Sequence, residues 1–526
     1  MTGPAKSPNA TKAAKVPSAK ILKLAVPFLG VLGALQGADP NIASTALVGA
    51  TRGLSMEGGL VALAASISTL ALAASVISTG LWADRLGRRR VLMAALLLTI
   101  IGDLIVAIAP TSAFFLLGRA VAGVGLGAIF GASFAYLRAV VPADKIPGAM
   151  GIFGASIGIF TLAFTFIGGS LSAIDWRVAF LLIPIASAIC FFLVPIVLPA
   201  QEPVSKGKQD IVGQVLLAIG VIAFLYGVSH LGTSLTDLVT WGPLVGGVIL
   251  LAAFFVYESK NSNHFFPVSL FRNRIFIAAV FVGLVYNFGT AMSFLQITNL
   301  WQYVNGEPTS IVSIWQLGFL IPAIFAALIF GKLMLKGMSN RTAVLIAGVG
   351  IFVGMVWLAL FNAATSYWLF LPGLVILGAA LTIVSLPYGN LIMKEAPPAY
   401  FGPVTSSRTT IGQFFYAIGL ALSTVIIDKM TIGGTVDTLT QAGVPASKIG
   451  TGLDAVKAFA AQSTEPTSAL GKQALAAASD SYGNGFATVM IIGAVLSIVG
   501  AVVAAILLKG DSHPTEQTVE TTQATK

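Results

Sequence analysis

Long apolar runs separated by short charged or turn-forming breaks fill most of this chain, and each run is near the length of about 20 residues that crosses a bilayer as a helix. Six come first, over 24–47, 59–82, 91–109, 113–136, 148–171 and 178–198. After a polar break at 202–210, a compact pair occupies 211–232 and 241–257. Six more follow over 275–298, 311–331, 342–361, 366–388, 405–427 and 486–508. The pattern predicts an all-α integral membrane protein with about 14 transmembrane helices, arranged as two six-helix bundles with a two-helix insertion between them. In segments, this is a basic tail at 1–23, a first bundle at 24–198, a linker carrying the extra pair at 199–260, a second bundle at 261–508 and a tail at 509–526.

One connection departs from the rest. The stretch 428–485, rich in Ala, Gly, Thr and Ser, joins the last two runs and is far longer than any other link. Its pieces 455–461 and 468–479 have the alanine content for short surface helices. It reads either as a solvated flexible loop or as an external gate or partner contact.

Composition narrows the class. Of 526 residues, 56% are hydrophobic and only 10% charged, with mean hydropathy +0.91. An ordinary soluble domain is about 25% charged, so this chain is built for lipid. Its 56 glycines suit helices that approach closely where no hydrophobic force drives them together. The net charge of +10 is spread over short links and not gathered in a patch, which excludes nucleic acid as a partner. Cys190, the single cysteine, lies in an apolar run and reads as core filler. The tail at 1–23, with Lys6, Lys12, Lys15 and Lys20, has no small-residue cleavage site before the first run and is expected to be a disordered basic tail, not a signal peptide.

The same charges orient the helices. With both termini cytoplasmic, the inner segments carry Lys6 through Lys23, Arg85, Arg88, Arg89, Arg90, Arg138, Lys145, Lys206, Lys208, Lys260, Arg272, Arg274, Lys332, Lys336, Arg341, Lys394, Arg408, Lys509 and Lys526. The outer ones carry Arg52, Arg177, Lys429, Lys448, Lys457 and Lys472. This asymmetry places the chain in a cell membrane with the arginine-rich turn at 80–90 inside.

That turn, Gly80-Leu81-Trp82-Ala83-Asp84-Arg85-Leu86-Gly87-Arg88-Arg89-Arg90, resembles the pattern G-x-L-a-D-r-x-G-r-k between the second and third helices of the major facilitator superfamily. Gly80, Asp84 and Gly87 fall on its core positions. The six-two-six layout resembles the fourteen-span drug:proton antiporter branch of that family. So does Asp39-Pro40-Asn41-Ile42-Ala43-Ser44-Thr45-Ala46-Leu47 in the first run, although Val48 stands for the usual final proline. In the fourth run Leu117-Gly118-Arg119-Ala120-Val121-Ala122-Gly123-Val124-Gly125 is similar to R-x-x-q-G-x-g, with Ala122 for the glutamine. Gln302-Tyr303-Val304-Asn305-Gly306-Glu307-Pro308 and the later Pro322 also resemble the branch. The antiporter signature of the fifth helix, G-x8-G-x3-G-P-x2-G-G, keeps Gly151, Gly168 and Gly169, but Phe160, Phe164 and Thr165 replace its inner glycines and proline. Two phenylalanines there imply a different gap between helices or an altered pocket wall.

Charges inside the runs cost about 2.5–3.5 kcal/mol each at mid-bilayer on insertion scales, so each needs a reason. Counted from Lys23, Asp39 sits roughly 24 Å from the inner boundary, and Arg119, counted from Ser112, is about 10 Å from the outer one. The two depths match. Asp39 reads as a proton carrier and Arg119 as its modulator, or the two as a permanent structural ion pair. Asp103, roughly 18 Å deep in the third run, is a second protonation candidate or an alternative partner for Arg119. By resemblance, Gly80, Asp84, Arg85, Gly87 and Arg88 form an inner-face latch, with Asp84 facing the N-terminal end of a helix starting near Thr405 and Arg85 and Arg88 pairing with loop acids or lipid phosphates. The second half repeats the turn weakly: Gly331, Lys332, Leu333 and Arg341 remain, but Leu335 takes the place of the acid.

Asn287, Gln296, Gln413, Phe414 and Tyr416 are polar or aromatic residues at mid-depth in the second half and, with Phe160 and Phe164, are candidates for a substrate pocket. The second six runs hold no acid, which favours a neutral or amphipathic substrate. The function implied is export of small hydrophobic or amphipathic compounds by alternating access, driven by protons, with no cofactor besides that coupling ion. The partners are then the substrate, protons and the bilayer, and the protein works as a monomer. A proton symporter importing a nutrient or organic anion keeps the fold and reverses the direction, and a non-transporting receptor or scaffold is a third reading. An enzyme is not indicated, because there is no Walker A sequence and His230, His264 and His513 have no metal-ligand spacing.

Overall fold

The computed structural model describes residues 19–56, 59–200, 210–231, 236–362, 364–462 and 465–510. Most of the two predicted tails, together with Lys206, Lys208 and His513, lies outside these residues. All regular elements described are helical, as the need to satisfy every backbone group inside lipid requires.

The first bundle consists of α1 (Ala19–Gly53), α2 (Gly59–Leu86), α3 (Arg88–Ala107), α4 (Ser112–Val140), α5 (Ile146–Ser172) and a broken sixth span, α6 (Trp176–Ala179) and α7 (Leu182–Val197). The insertion is α8 (Ile211–His230) and α9 (Leu238–Lys260). The second bundle is α10 (Arg274–Asn299), α11 (Thr309–Leu335), α12 (Asn340–Leu358), α13 (Tyr367–Glu395), α14 (Phe401–Gln441) and α16 (Ala469–Leu507), with α15 (Ala446–Gln462) between the last two. Among the described residues, 13 helical stretches are long and apolar enough to cross a membrane, α6 and α7 counting as one. Helix α1 is the remaining long helix, packed along α4 and α5. Gln36, Asp39, Pro40 and Asn41 interrupt its apolar run, and Asp39 is buried against α2 and α4.

The two bundles meet chiefly through α2 against α14 and α5 against α11. The insertion packs as a hairpin, and α8 leans on both α2 and α14, so it touches each bundle along one side of the molecule. The face where α2 meets α3 carries the arginine-rich motif and is called here the basic face; the opposite end carries α15.

Two sequence expectations change. The 80–90 segment is barely a loop: α2 runs through Asp84 and Arg85 to Leu86, and α3 starts at Arg88. Gly87 alone makes the reversal at φ 94°, a conformation that favours glycine. The 428–485 connection is not a loop either. Helix α14 continues to Gln441, α15 follows, and α16 begins at Ala469, well before the predicted start at 486. Packing against α16 and α15, not propensity, carries α14 through Gly433, Gly434 and its threonines; Gly443 ends it at φ 77°, and Ser468 caps α16 by accepting the Gly471 N–H at 3.0 Å. Helix α15 packs on α16 and α14, giving this stretch tertiary support.

Candidate functional site

Four helices of the first bundle place their polar side chains on one point. From α4, Arg119 sends Nη1 and Nη2 to the two carboxylate oxygens of Asp39 on α1, at 2.6 and 2.9 Å. This is a two-point pairing that a guanidinium makes and an ammonium does not. Ser68 on α2 donates to Asp39 Oδ2 at 3.2 Å. Asp103 on α3 brings Oδ1 to 3.7 Å from Arg119 Nη1, and neither of its oxygens accepts a hydrogen bond among the described residues. Phe180, between α6 and α7, covers the guanidinium with its ring centroid at 5.3 Å. Asp39, Asp103 and Arg119 are 2%, 0% and 1% exposed, so their charges balance against each other and not against water. Two carboxyl groups face one guanidinium, so ionisation of both would leave one negative charge in excess. Sequence depth alone had brought these three together; Ser68 and Phe180 were missed, since a serine or phenylalanine in a membrane helix carries no signal of its own.

At the basic face a second set of contacts joins the bundles. Asp84 Oδ2 accepts the backbone N–H of Gly402, in the first turn of α14, where the exposed N–H groups favour a carboxylate. Helix α14 begins at Phe401, a turn before the expected Thr405. Arg88 does not reach loop acids or the surface: it is 8% exposed, pairs with Asp84 Oδ1 at 3.3 Å and lies 5.2 Å over the Phe401 ring. The reversal at Gly87, between the end of α2 and the start of α3, lets it fold back onto Asp84 four residues earlier. Arg85 is half-buried beside it. Arg138 of α4 also lies over the Phe401 ring, at 4.8 Å, and donates to the Met393 carbonyl at 3.2 Å. Above this layer Thr410 donates to the Ala73 carbonyl at 2.9 Å, tying α14 to α2.

Gly80 makes that crossing possible. A Cβ on it would overlap the Gly402 carbonyl and the Ser406 hydroxyl, and a Cβ on Gly402 would overlap Gly80 in turn. The α5–α11 crossing is similarly tight, with Gly151 against Ala327 and Gly331. So of the retained signature glycines Gly151 makes this close crossing, Gly168 faces Ile42 of α1, and a Cβ on Gly169 would meet no atom within 4 Å among the described residues, while Phe160 and Phe164 lie between them on α5, their rings 6.2 Å apart. Arg408, counted above with the inner cations, belongs to α14 and lies among Phe130, Phe134 and Tyr388 at 6.0, 5.3 and 4.8 Å.

The pocket candidates do not converge. Phe414 packs against Phe224 of α8, the rings 4.8 Å apart and tilted by 36°, and lines an apolar cavity of about 320 Å3 under the insertion, with Phe254, Phe266 and Phe271. Gln296 instead lines a larger cavity of about 520 Å3 at the α15 end. Asn287 donates to the Gly283 carbonyl of its own helix at 2.8 Å and abuts Gly412. Gln413 and Tyr416 are half-buried on α14, and neither they nor Phe160 and Phe164 line either cavity. Depth in the membrane was a poor guide here, because the face of α10 or α14 that a residue occupies depends on how α8 and α15 pack. The continued α14 also carries an acid, Asp428, just beyond the predicted run 405–427, to the wall of the larger cavity.

Comparison with known proteins agrees with this architecture. The family model described as Major Facilitator Superfamily matches residues 29–420. The Multidrug resistance protein B homolog of Mycobacterium tuberculosis (strain CDC 1551 / Oshkosh) is 28% identical over 369 residues, 68% of this chain and 67% of that protein. Multidrug resistance protein 3 of Bacillus subtilis (strain 168) is 25% identical over 438 residues, 81% of each. In fold, the proton:xylose symporter XylE superposes with a TM-score of 0.60 at 12% identity, covering 92% of this chain and 95% of that one. The human organic anion transporter MFSD10 gives 0.55 at 13% identity, covering 91% and 100%. With its two helical bundles, its glycine-dependent crossing at the basic face and a family match over most of its length, the chain belongs to the major facilitator superfamily of membrane transporters.

Proposed function

We propose that this protein is a proton-coupled exporter of small hydrophobic or amphipathic compounds, of the fourteen-span antiporter type, seated in the cell membrane with its basic face and both termini in the cytoplasm. The observation that carries the reading is the Asp39–Arg119–Asp103 cluster. With both acids ionised it holds one excess negative charge in a place without bulk water, and a proton is the charge that balances it. Exchange of that proton changes the electrostatics at the junction of α1, α2, α3 and α4, which is a means of biasing one arrangement of the bundle over another.

The contacts between α2 and α14 close the basic face, and with that face inside the arrangement is outward-facing. Asp84, held by Gly402 and Arg88, is the latch of this state. Proton transfer to the cluster is then the free-energy input that releases the latch. The names of relatives in Mycobacterium tuberculosis and Bacillus subtilis favour efflux of several compounds over uptake of one nutrient.

Reconstitution tests the reading. Protein in liposomes under an imposed pH gradient is expected to drive amphipathic dyes against their own gradient, and Asp39→Asn to abolish gradient-driven accumulation. No proton-dependent dye movement, or full coupling in Asp39→Asn, rules it out. Accumulation by intact cells in place of depletion would assign the symporter direction.

A further inference from the structure

The cavity of about 520 Å3 at the α15 end lies between α10, α14, α15 and α16, so it exists only because the 428–485 stretch is helical. Its size falls in the range of about 300–1,000 Å3 typical of small-molecule sites. The walls are mostly apolar, with Ile427, Val456 and Leu475 among them, and two rings, Phe459 and Tyr482, face the space. Asp428 is the carboxylate on its lining, and no ion pair to it is found among the described residues. One turn farther along α14, Thr431 also lines the cavity, and its hydroxyl is buried without a hydrogen-bond partner among those residues. A cation, Lys457, is on the lining too, but its side chain is 75% exposed to solvent and pairs with Asp454 at 3.8 Å.

We propose that this chamber is a binding site for an amphipathic organic monocation, distinct from the Asp39 cluster. Asp428 takes the positive charge, Phe459 and Tyr482 enclose the apolar body, and the orphaned Thr431 hydroxyl supplies a polar contact. Rings beside a carboxylate suit a delocalised cation, since both their faces and the acid attract it while the apolar walls desolvate it. An anion of the same shape gains the walls and loses the charge term. Helix α15 is the roof, so a compound enters from the aqueous side at that end, and the site stands whichever way transport runs and whether or not it is coupled to protons.

The test uses the full chain in nanodiscs carrying Ser479→Cys, a lining position, with the native Cys190 buried and shielded from reagent. Labelling by a membrane-impermeant maleimide is followed with tetraphenylphosphonium or with tetraphenylborate, its anionic counterpart of nearly equal size. Tetraphenylphosphonium is expected to slow labelling and tetraphenylborate to leave it nearly unchanged. Asp428→Asn is expected to raise the half-protecting concentration about three- to tenfold, the size of one partly solvated charge pair, and Asp428→Glu to preserve it. Equal protection by the two ions, or unaltered protection in Asp428→Asn, overturns the assignment. Should Asp428→Asn fail to fold, as its melting temperature reports, the comparison of the two ions on the acid-containing protein decides alone. Failure of proton-coupled export appears only in the liposome assay, so the two outcomes are separable.

Discussion

The guanidinium of Arg408, on α14, lies 5.3 Å from the ring centroid of Phe134, on α4, so a cation of one bundle rests on an aromatic face of the other. Phe130 and Tyr388 complete the enclosure, and among the described residues no carboxylate pairs with it. A desolvated contact of this kind is worth about 0.5–2 kcal/mol, or roughly a two- to thirtyfold bias between a closed and an open basic face. Arg408→Gln is therefore expected to populate the open arrangement, and Arg408→Lys to fall between it and the parent. Distances between spin labels on the basic-face ends of α2 and α14 report this directly. An unchanged distribution in Arg408→Gln would show that the aromatic enclosure does not hold the bundles together.

The Gly80–Gly402 crossing makes a sharper demand. A methyl group at Gly80 meets backbone of α14, which cannot swing aside as a side chain does, so the two helices must separate. Gly80→Val is expected to weaken closure of the basic face while leaving the interior of each bundle intact. Ser407, 1% exposed on α14, is a reporter: as Ser407→Cys it should resist a soluble maleimide in the parent and react at least several times faster beside Gly80→Val. Equal rates would place the bundle contact elsewhere.

At the root of the insertion, Asp210 caps α8 by accepting the Gly213 N–H at 2.9 Å, and it also receives the Tyr257 hydroxyl at 3.1 Å and Asn261 Nδ2 at 2.9 Å from the far end of α9. One buried carboxylate thus ties both helices of the hairpin together. Asp210→Ala strands three donors, at about 1–3 kcal/mol for each that finds no new partner. Hydrogen exchange at the first turn of α8 and the last turn of α9 is expected to accelerate together, with the core of α4 unaffected. Acceleration in α8 alone would mean that the residue is only a helix cap.

How much of this was legible in the sequence follows from what each feature costs. A bilayer demands length and apolarity, so the spans could be counted, and the rarity of buried charge singled out Asp39, Asp103 and Arg119 before any contact was known. The continuation of α14 to Gln441 was not legible, because a segment rich in Gly and Thr that leaves the bilayer has neither a long apolar run nor a strong amphipathic stripe. Arg408 was misplaced for a related reason: charge counting assigns a side of the membrane, and only the start of α14 at Phe401 shows that Arg408 is two turns into the helix. Phe414 and Gln296 were read as one pocket since depth was all the sequence offered; the packing of α8 and α15 sends them to different cavities.

The charge cluster gives the prediction with the most to lose. Arg119 answers both carboxylates, so Arg119→Gln leaves two buried acids without a cation and is expected to cost about 3–5 kcal/mol, the largest loss of the set. Asp39→Asn removes the charge and one of the two acceptor oxygens that Arg119 and Ser68 share, and comes second. Asp103 contributes only a 3.7 Å contact and has no hydrogen bond to lose among the described residues, so Asp103→Asn removes the excess negative charge at little expense and leaves stability unchanged or raised. Because the groups share one guanidinium, the double variant Asp39→Asn with Arg119→Gln is expected to be more stable than the sum of its parts implies. Thermal unfolding of the purified variants in one detergent measures all four. If Asp103→Asn proved as costly as Asp39→Asn, Asp103 would be a structural partner of Arg119, and the surplus charge on which proton coupling depends would not exist.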